Sequence, residues 1–106
     1  MSYTDEYLDQ AIEVIRGLDR AQIERTIEIL LDVRAAGGRL FLLGVGGSAG
    51  SASHAVNDFR KLAGIETYTP VDNVSELTAR TNDEGWHTVF SEYLKTSRID
   101  SDDAVM

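Results

Sequence analysis

At 106 residues with no cysteine, the chain has room for one domain, and for neither disulfides nor thiolate metal sites. Hydrophobic residues make up 42% and charged residues 26%, the balance of a globular domain rather than a disordered or fibrous one. The net charge of −8, without a basic cluster, argues against nucleic-acid binding, and no long apolar segment precedes the first charges, so we expect no membrane partner and a cytoplasmic protein.

Two helices open the chain. Thr4 is placed to cap the first, with Asp5 and Glu6 in its first turn and Leu8, Ile12 and Ile15 at helical spacing. Asp19 and Gln22 resemble a capping box for the second, with Leu18 and Ile23 as its hydrophobic staple. Ile23, Ile27, Leu30 and Leu31 give it an apolar stripe, and Gly37 and Gly38 end it. Their close connection predicts an antiparallel helical hairpin over residues 1–37.

Residues 38–106 read as a strand-turn-helix unit and its continuation. Arg39 to Leu43 is a short apolar strand, and Gly44-Val45-Gly46-Gly47-Ser48 follows it at once. A helix starting there aims its free N–H groups and positive dipole end into the turn, which suits a phosphate or carboxylate. We expect an anion against the N–H groups of Gly46 to Ala49, with the Ser48 hydroxyl beside it or capping the helix. The helix runs to about Leu62 and stops at Gly64, and a helical wheel gathers Ala52, Ala55, Val56, Phe59, Leu62 and Ala63 on its buried face. His54 and Asp58, at i and i+4, stand together on the flank.

Glu66 to Thr69 is a second strand ended by Pro70, and Ser75 to Arg80 a short helix. Asn82-Asp83-Glu84-Gly85 reads as a turn, with Asp83 available to cap the next helix. Trp86, Val89, Phe90, Tyr93 and Leu94 mark that last helix, with an aromatic, core-facing side, while His87, Arg60 and Lys61 read as surface residues. Ser101 to Met106 looks like a turn into a third strand, and two strands and a stub make a poor parallel sheet. The expected class is α/β, with the sheet truncated at its third strand.

The order helical hairpin, strand, Gly44-Val45-Gly46-Gly47-Ser48, helix with His54, followed by Leu77-Thr78-Ala79-Arg80-Thr81-Asn82-Asp83-Glu84-Gly85-Trp86, resembles the sugar isomerase (SIS) domain family. Within it the likeness is to the phosphoheptose isomerases, which act on sedoheptulose 7-phosphate. The resemblance covers essentially the whole chain and the first half of such a protein. It implies a flavodoxin-like, Rossmann-like parallel sheet and a phosphorylated sugar as partner. Substrate contacts fall on Gly46, Gly47, Ser48, Asn82 and Asp83, with Val45 where the family has an asparagine. It further implies that His54 and Asp58 take the places of a histidine and glutamate that bind zinc in several members, the carboxylate being the proposed base. Two ligands are half a zinc site, so the resemblance allows zinc in a complete protein, and none is expected for this chain alone. Members assemble as oligomers, and the amphipathic N-terminal helices and unfinished sheet edge also predict a homo-oligomer.

Two other readings stand beside this one. Gly44-Val45-Gly46-Gly47-Ser48-Ala49 satisfies the G-x-G-x-x-A pattern of dinucleotide-binding units, although no acidic residue clearly ends the second strand. A non-catalytic SIS module that senses phosphosugars keeps the anchor without the acid–base pair, and Val45 and Asp58 both depart from the isomerase pattern in that direction.

Overall fold

The computed structural model describes all 106 residues. The chain orders as α1 (Tyr3–Arg16), α2 (Arg20–Ala36), β1 (Arg39–Phe41), α3 (Gly47–Asp58), β2 (Glu66–Tyr68), α4 (Val74–Asp83), α5 (Val89–Thr96) and β3 (Ala104–Val105). The strands form one parallel sheet in the order β2-β1-β3, with Leu40 opposite Thr67 on one side and Ala104 on the other. The expected α/β class and all three strands are present. The ladder runs past the end of β1: Leu42 N–H donates to the Tyr68 carbonyl (2.9 Å) and Leu43 N–H to that of Met106 (2.8 Å).

β1 is buried on both faces because it is flanked by strands and covered by helices. Leu40 and Leu42 point to one face, where they meet Val33 of α2, Ala52 of α3 and Ile65. Phe41 points to the other, its ring 6.0 Å from Tyr68 and 6.3 Å, edge-on, from Tyr93 of α5. This alternation is the period-two signature of a strand.

α1 begins earlier in the chain than Thr4 suggested. Ser2 is its cap, in a reciprocal capping box with Asp5. At α2 only half of the box forms: the Asp19 carboxylate accepts the N–H groups of Ala21 (3.0 Å) and Gln22 (3.2 Å). α2 packs on the sheet, whereas none of the 14 residues of α1 is buried.

α3 passes into a π-helical turn over Phe59–Ala63 and stops at Gly64. The wider turn rotates Leu62 away from the core, leaving it 77% exposed where the wheel had it buried. Ala52, Ala55, Val56, Phe59 and Ala63 keep their places against the core. α4 is longer than expected, because Asn73 caps it by accepting Glu76 N–H (3.1 Å) and it continues through Asp83. Asn82 and Asp83 therefore lie in the last helical turn, and Asp83 caps nothing. Trp86 starts a short 3₁₀ turn ahead of α5 and is 48% exposed, packed edge-on to Phe90 at 5.6 Å rather than in the core. No helix is long and apolar enough to cross a membrane.

Besides its ladder bonds, β3 is held by an ion pair. Asp103 Oδ2 accepts from Arg39 Nη2 (2.9 Å), and Oδ1 from the Arg39 backbone N–H (2.8 Å). Asp100 N–H adds a bond to Oδ2 (3.0 Å). The Asp103 side chain is 2% exposed. Burial alone would raise its carboxyl, but the hydrogen bonds from Arg39 and Asp100, with the guanidinium charge, hold it below its usual range.

A depressed folded-state value adds stability above the unfolded pKa of about 4, and that stability is lost as pH falls through the folded-state value. We expect Asp103→Asn to destabilise the chain by about 1–3 kcal/mol at neutral pH, Arg39 being partly solvated. The gap between wild type and variant should narrow toward pH ~2, where the wild-type carboxyl is also neutral. Urea titrations at the two pH values measure it, and a gap independent of pH would contradict it.

Candidate functional site

The turn after β1 is shaped by two glycines. At Gly44 the first turn of α3 lies so close that a Cβ would overlap the Ser48 carbonyl and stand 2.9 Å from Ala49 N. Gly46 has φ 60° and ψ −122°, a conformation that side-chain-bearing residues avoid. Gly46 rather than Ser48 is the residue that precedes α3. The Ser48 hydroxyl instead closes the turn on itself, accepting Val45 N–H and donating to the Val45 carbonyl, each at 2.8 Å. Ser48 N–H and Ala49 N–H are taken by the carbonyls of Val45 and Gly46, at 3.1 Å each.

The four amides expected to face an anion therefore reduce to two. Gly46 and Gly47 N–H have no acceptor in the chain, and both residues are exposed. A Cβ on Gly47 would meet nothing within 4 Å, so the approach to this amide is open. The turn also lies where doubly wound sheets bind ligands. With strand order β2-β1-β3, the connections diverge between β1 and β3, at their carboxyl ends.

Gly47, Ser51, His54 and Asp58 follow one another along α3 at spacings of four, three and four, which sets them on one face. At 1.5 Å per residue, His54 stands roughly 10 Å and Asp58 roughly 16 Å along the axis from Gly47. His54 Nε2 and Asp58 Oδ2 pair at 3.2 Å, with side chains 77% and 47% exposed. Proton transfer next to a carbonyl needs such groups, but also needs water kept away. Within this chain nothing covers them to that extent. Nor does any group of three or more metal-binding side chains come together. Zinc takes three or four protein ligands, so the donors present do not make a zinc site.

Asn82 and Asp83 are exposed at the end of α4, where Asn82 Nδ2 donates to Asp83 Oδ1 (3.0 Å). No hydrogen bond joins them to the glycine turn or to His54 and Asp58. Val45 is exposed and presents only its branched side chain.

The largest cleft, about 440 Å³, lies elsewhere, between α3, the carboxyl end of β2 and the start of α4. Beside the glycine turn there is a smaller apolar hollow of about 230 Å³, lined by Leu42, Leu43, Ala52, Phe59 and Met106 among others. The large cleft is absent from the sequence reading, in which Arg60 is a solvated edge and Tyr93 is core. Seven of its ten lining residues lie between Thr67 and Ser75, and only the fold brings Val56, Arg60 and Tyr93 to them.

No protein-family model matches the chain. It is 28% identical over 95 residues to a probable phosphoheptose isomerase of Thermoplasma volcanium, covering 85% of this chain and 48% of that protein. It is 33% identical over 94 residues to phosphoheptose isomerase 1 of Campylobacter jejuni, covering 81% and 47%. The structure of phosphoheptose isomerase GmhA from Neisseria gonorrhoeae superposes with a TM-score of 0.81 at 23% identity, over 96% of this chain and 56% of that one. In sequence and in fold the chain resembles the phosphoheptose isomerases of the SIS type, and it spans about half the length of these relatives.

Proposed function

We propose that the chain is the phosphosugar-holding half of an aldose–ketose isomerase, and that the complete protein converts a phosphorylated sugar such as sedoheptulose 7-phosphate through an enediol. The observation that carries this reading is the pair of free amides at Gly46 and Gly47, where α3 begins, with Gly47 on the same helix face as His54 and Asp58. The likeness to phosphoheptose isomerases supports it. Helix-start amides would hold the anionic sugar and keep its reacting carbons in register. Asp58 would take the proton next to the carbonyl, with His54 orienting the carboxylate. Asn82 and Asp83 would contact sugar hydroxyls.

An acid on the opposite side of the enediol, and the cover that excludes water, must come from outside these 106 residues. Any zinc site would likewise need ligands from residues that this chain does not supply. The free edge of β3 and the apolar hollow beside Met106 are where further chain would pack. We place the protein in the cytoplasm. A phosphosugar-sensing module without turnover is the second reading. It is favoured by the open His54–Asp58 pair and by Val45, which offers no polar contact.

We further propose self-association through α1. Leu8, Ile12 and Ile15 of α1 are exposed, and so are Ile23 and Ile27 of α2. A helix of 14 residues with no buried residue is marginal alone in water, so a second copy covering this stripe would stabilise it.

Three outcomes are expected. Gly47→Val should fold like the wild type, since a Cβ there meets nothing, yet lose the amide NMR shift that sedoheptulose 7-phosphate induces at Gly46. An undiminished shift at Gly46 would reject the anchor. The 106-residue chain should show no isomerisation of that sugar above background, because one missing acid–base group typically costs about 10²–10⁴ in rate. Clear turnover, abolished by Asp58→Asn, would mean that the chain's own residues suffice. In sedimentation the wild type should be an oligomer at micromolar concentration and Ile12→Glu a monomer. A monomeric wild type would contradict the role given to α1.

A further inference from the structure

We infer that the 440 Å³ cleft is a second ligand site, separate from the glycine turn, built for a small oxyanion that also carries hydroxyl groups, as the phosphate monoester of a polyol does. Its position separates it from the first site. At 100° per residue, Val56 lies about 200° around α3 from His54, and Arg60 follows in the π-helical turn beyond Asp58. The cleft therefore occupies the opposite flank of the helix from the His54–Asp58 pair, with the core-facing side between them.

Four kinds of group in the cleft are unused by the fold. Arg60 pairs with no carboxylate. It is nevertheless positioned, with its guanidinium 5.3 Å over the Tyr68 ring and Nη1 donating to the Thr67 carbonyl (3.3 Å). The remaining guanidinium donors are free to meet an anion. At the start of the ten-residue α4, Asn73 accepts Glu76 N–H, which leaves Val74 and Ser75 N–H without acceptors. The hydroxyls of Ser75 and Tyr93 bond to nothing in the chain, and desolvation, followed by the charges of Glu76 and Asp72 and the nearby Tyr68, raises the Tyr93 phenol and keeps it a donor. Thr69, 2% exposed, is a lining residue whose Oγ1 has no partner, an uncommon state for a buried hydroxyl.

Asp72 narrows the ligand class. Ser53 Oγ donates to its Oδ1 at 2.6 Å and fixes the carboxylate across from α3, with Oδ2 left to accept. A bare phosphate would be repelled by this carboxylate, whereas a ligand with hydroxyl groups can donate to it while Arg60 and the α4 amides hold its anionic end. This second site stands whether or not the glycine turn binds a ligand.

The test uses the 106-residue chain carrying Gly47→Val, so that the turn cannot contribute, with amide NMR shifts read during titration with sodium glycerol 3-phosphate. Inorganic phosphate and sodium chloride at equal ionic strength are the comparisons. We expect saturable shifts at Thr69, Val74 and Ser75, weaker binding of inorganic phosphate, and none with chloride. Arg60→Gln, at an exposed position, should weaken glycerol 3-phosphate binding roughly tenfold or more. Thr69→Val should weaken binding without lowering the melting temperature, which a purely structural threonine would not do. Ser75→Ala carries the test if Arg60→Gln proves poorly folded. Shifts that match those of chloride, or equal affinity in the folded Arg60→Gln and Ser75→Ala variants, would overturn the inference. Either result leaves the Gly46–Gly47 reading to its own experiment.

Discussion

The close approach of α3 to the end of β1 at Gly44 is the constraint on which the rest of the structure depends. With no Cβ there, the backbone of Ser48 and Ala49 can settle directly over the strand end. The reversal must then be made within Val45 and Gly46, which accounts for the unusual dihedral angles of Gly46 and for the use of the Ser48 hydroxyl to close the turn. The same approach lays the small residues Ala52 and Ala55 along the sheet beside Leu42. The two amides that remain free are those at the outside of the bend. Turn geometry and helix packing thus have one cause.

β1 is the only strand paired on both edges. It carries Leu40 and Phe41, the two most fully buried large apolar residues, while β2 and β3 are edges with short ladders. Only 12 of 106 residues are buried, and the Cα radius of gyration of 17.1 Å exceeds the roughly 13 Å of a compact chain of this length. With so small a core, the Arg39–Asp103 clamp matters more than a surface ion pair would. It satisfies a buried carboxylate and holds β3 against β1 at the same time.

α3 divides two chemically different surfaces. One flank presents an imidazole and a carboxylate in line with the glycine turn. The other presents an unpaired guanidinium, a fixed carboxylate and several idle hydroxyls. The π-helical turn at its end contributes to this division by rotating Leu62 outward, while Arg60 stays against Tyr68. The helix is short of apolar bulk, and so its two flanks remain open to ligands rather than buried under neighbouring side chains.

Local features were legible in the chain itself. Gly37 and Gly64 end their helices where they were expected, and the apolar run from Leu40 marks the strand. Even Ala104–Val105 was readable as a strand. Backbone preference acts over a few residues, and these elements are set within that range. Misreadings at the same scale came from near-equivalent alternatives: Ser2 against Thr4 as a cap, or helix against turn at Asn82 and Asp83, where Asn73 extends α4 from its far end. What only the tertiary structure decided are the encounters between distant residues. Arg39 meets Asp103 across 64 positions, Ser53 meets Asp72 across 19, and Thr69 is buried without a partner beside Tyr93. No periodicity or motif encodes such pairs, because burial and distance arise only once the sheet has brought its strands together. The sequence alone determined that a glycine turn after β1 opens a helix; the fold determined which of its amides are left free, and what stands on either side of α3.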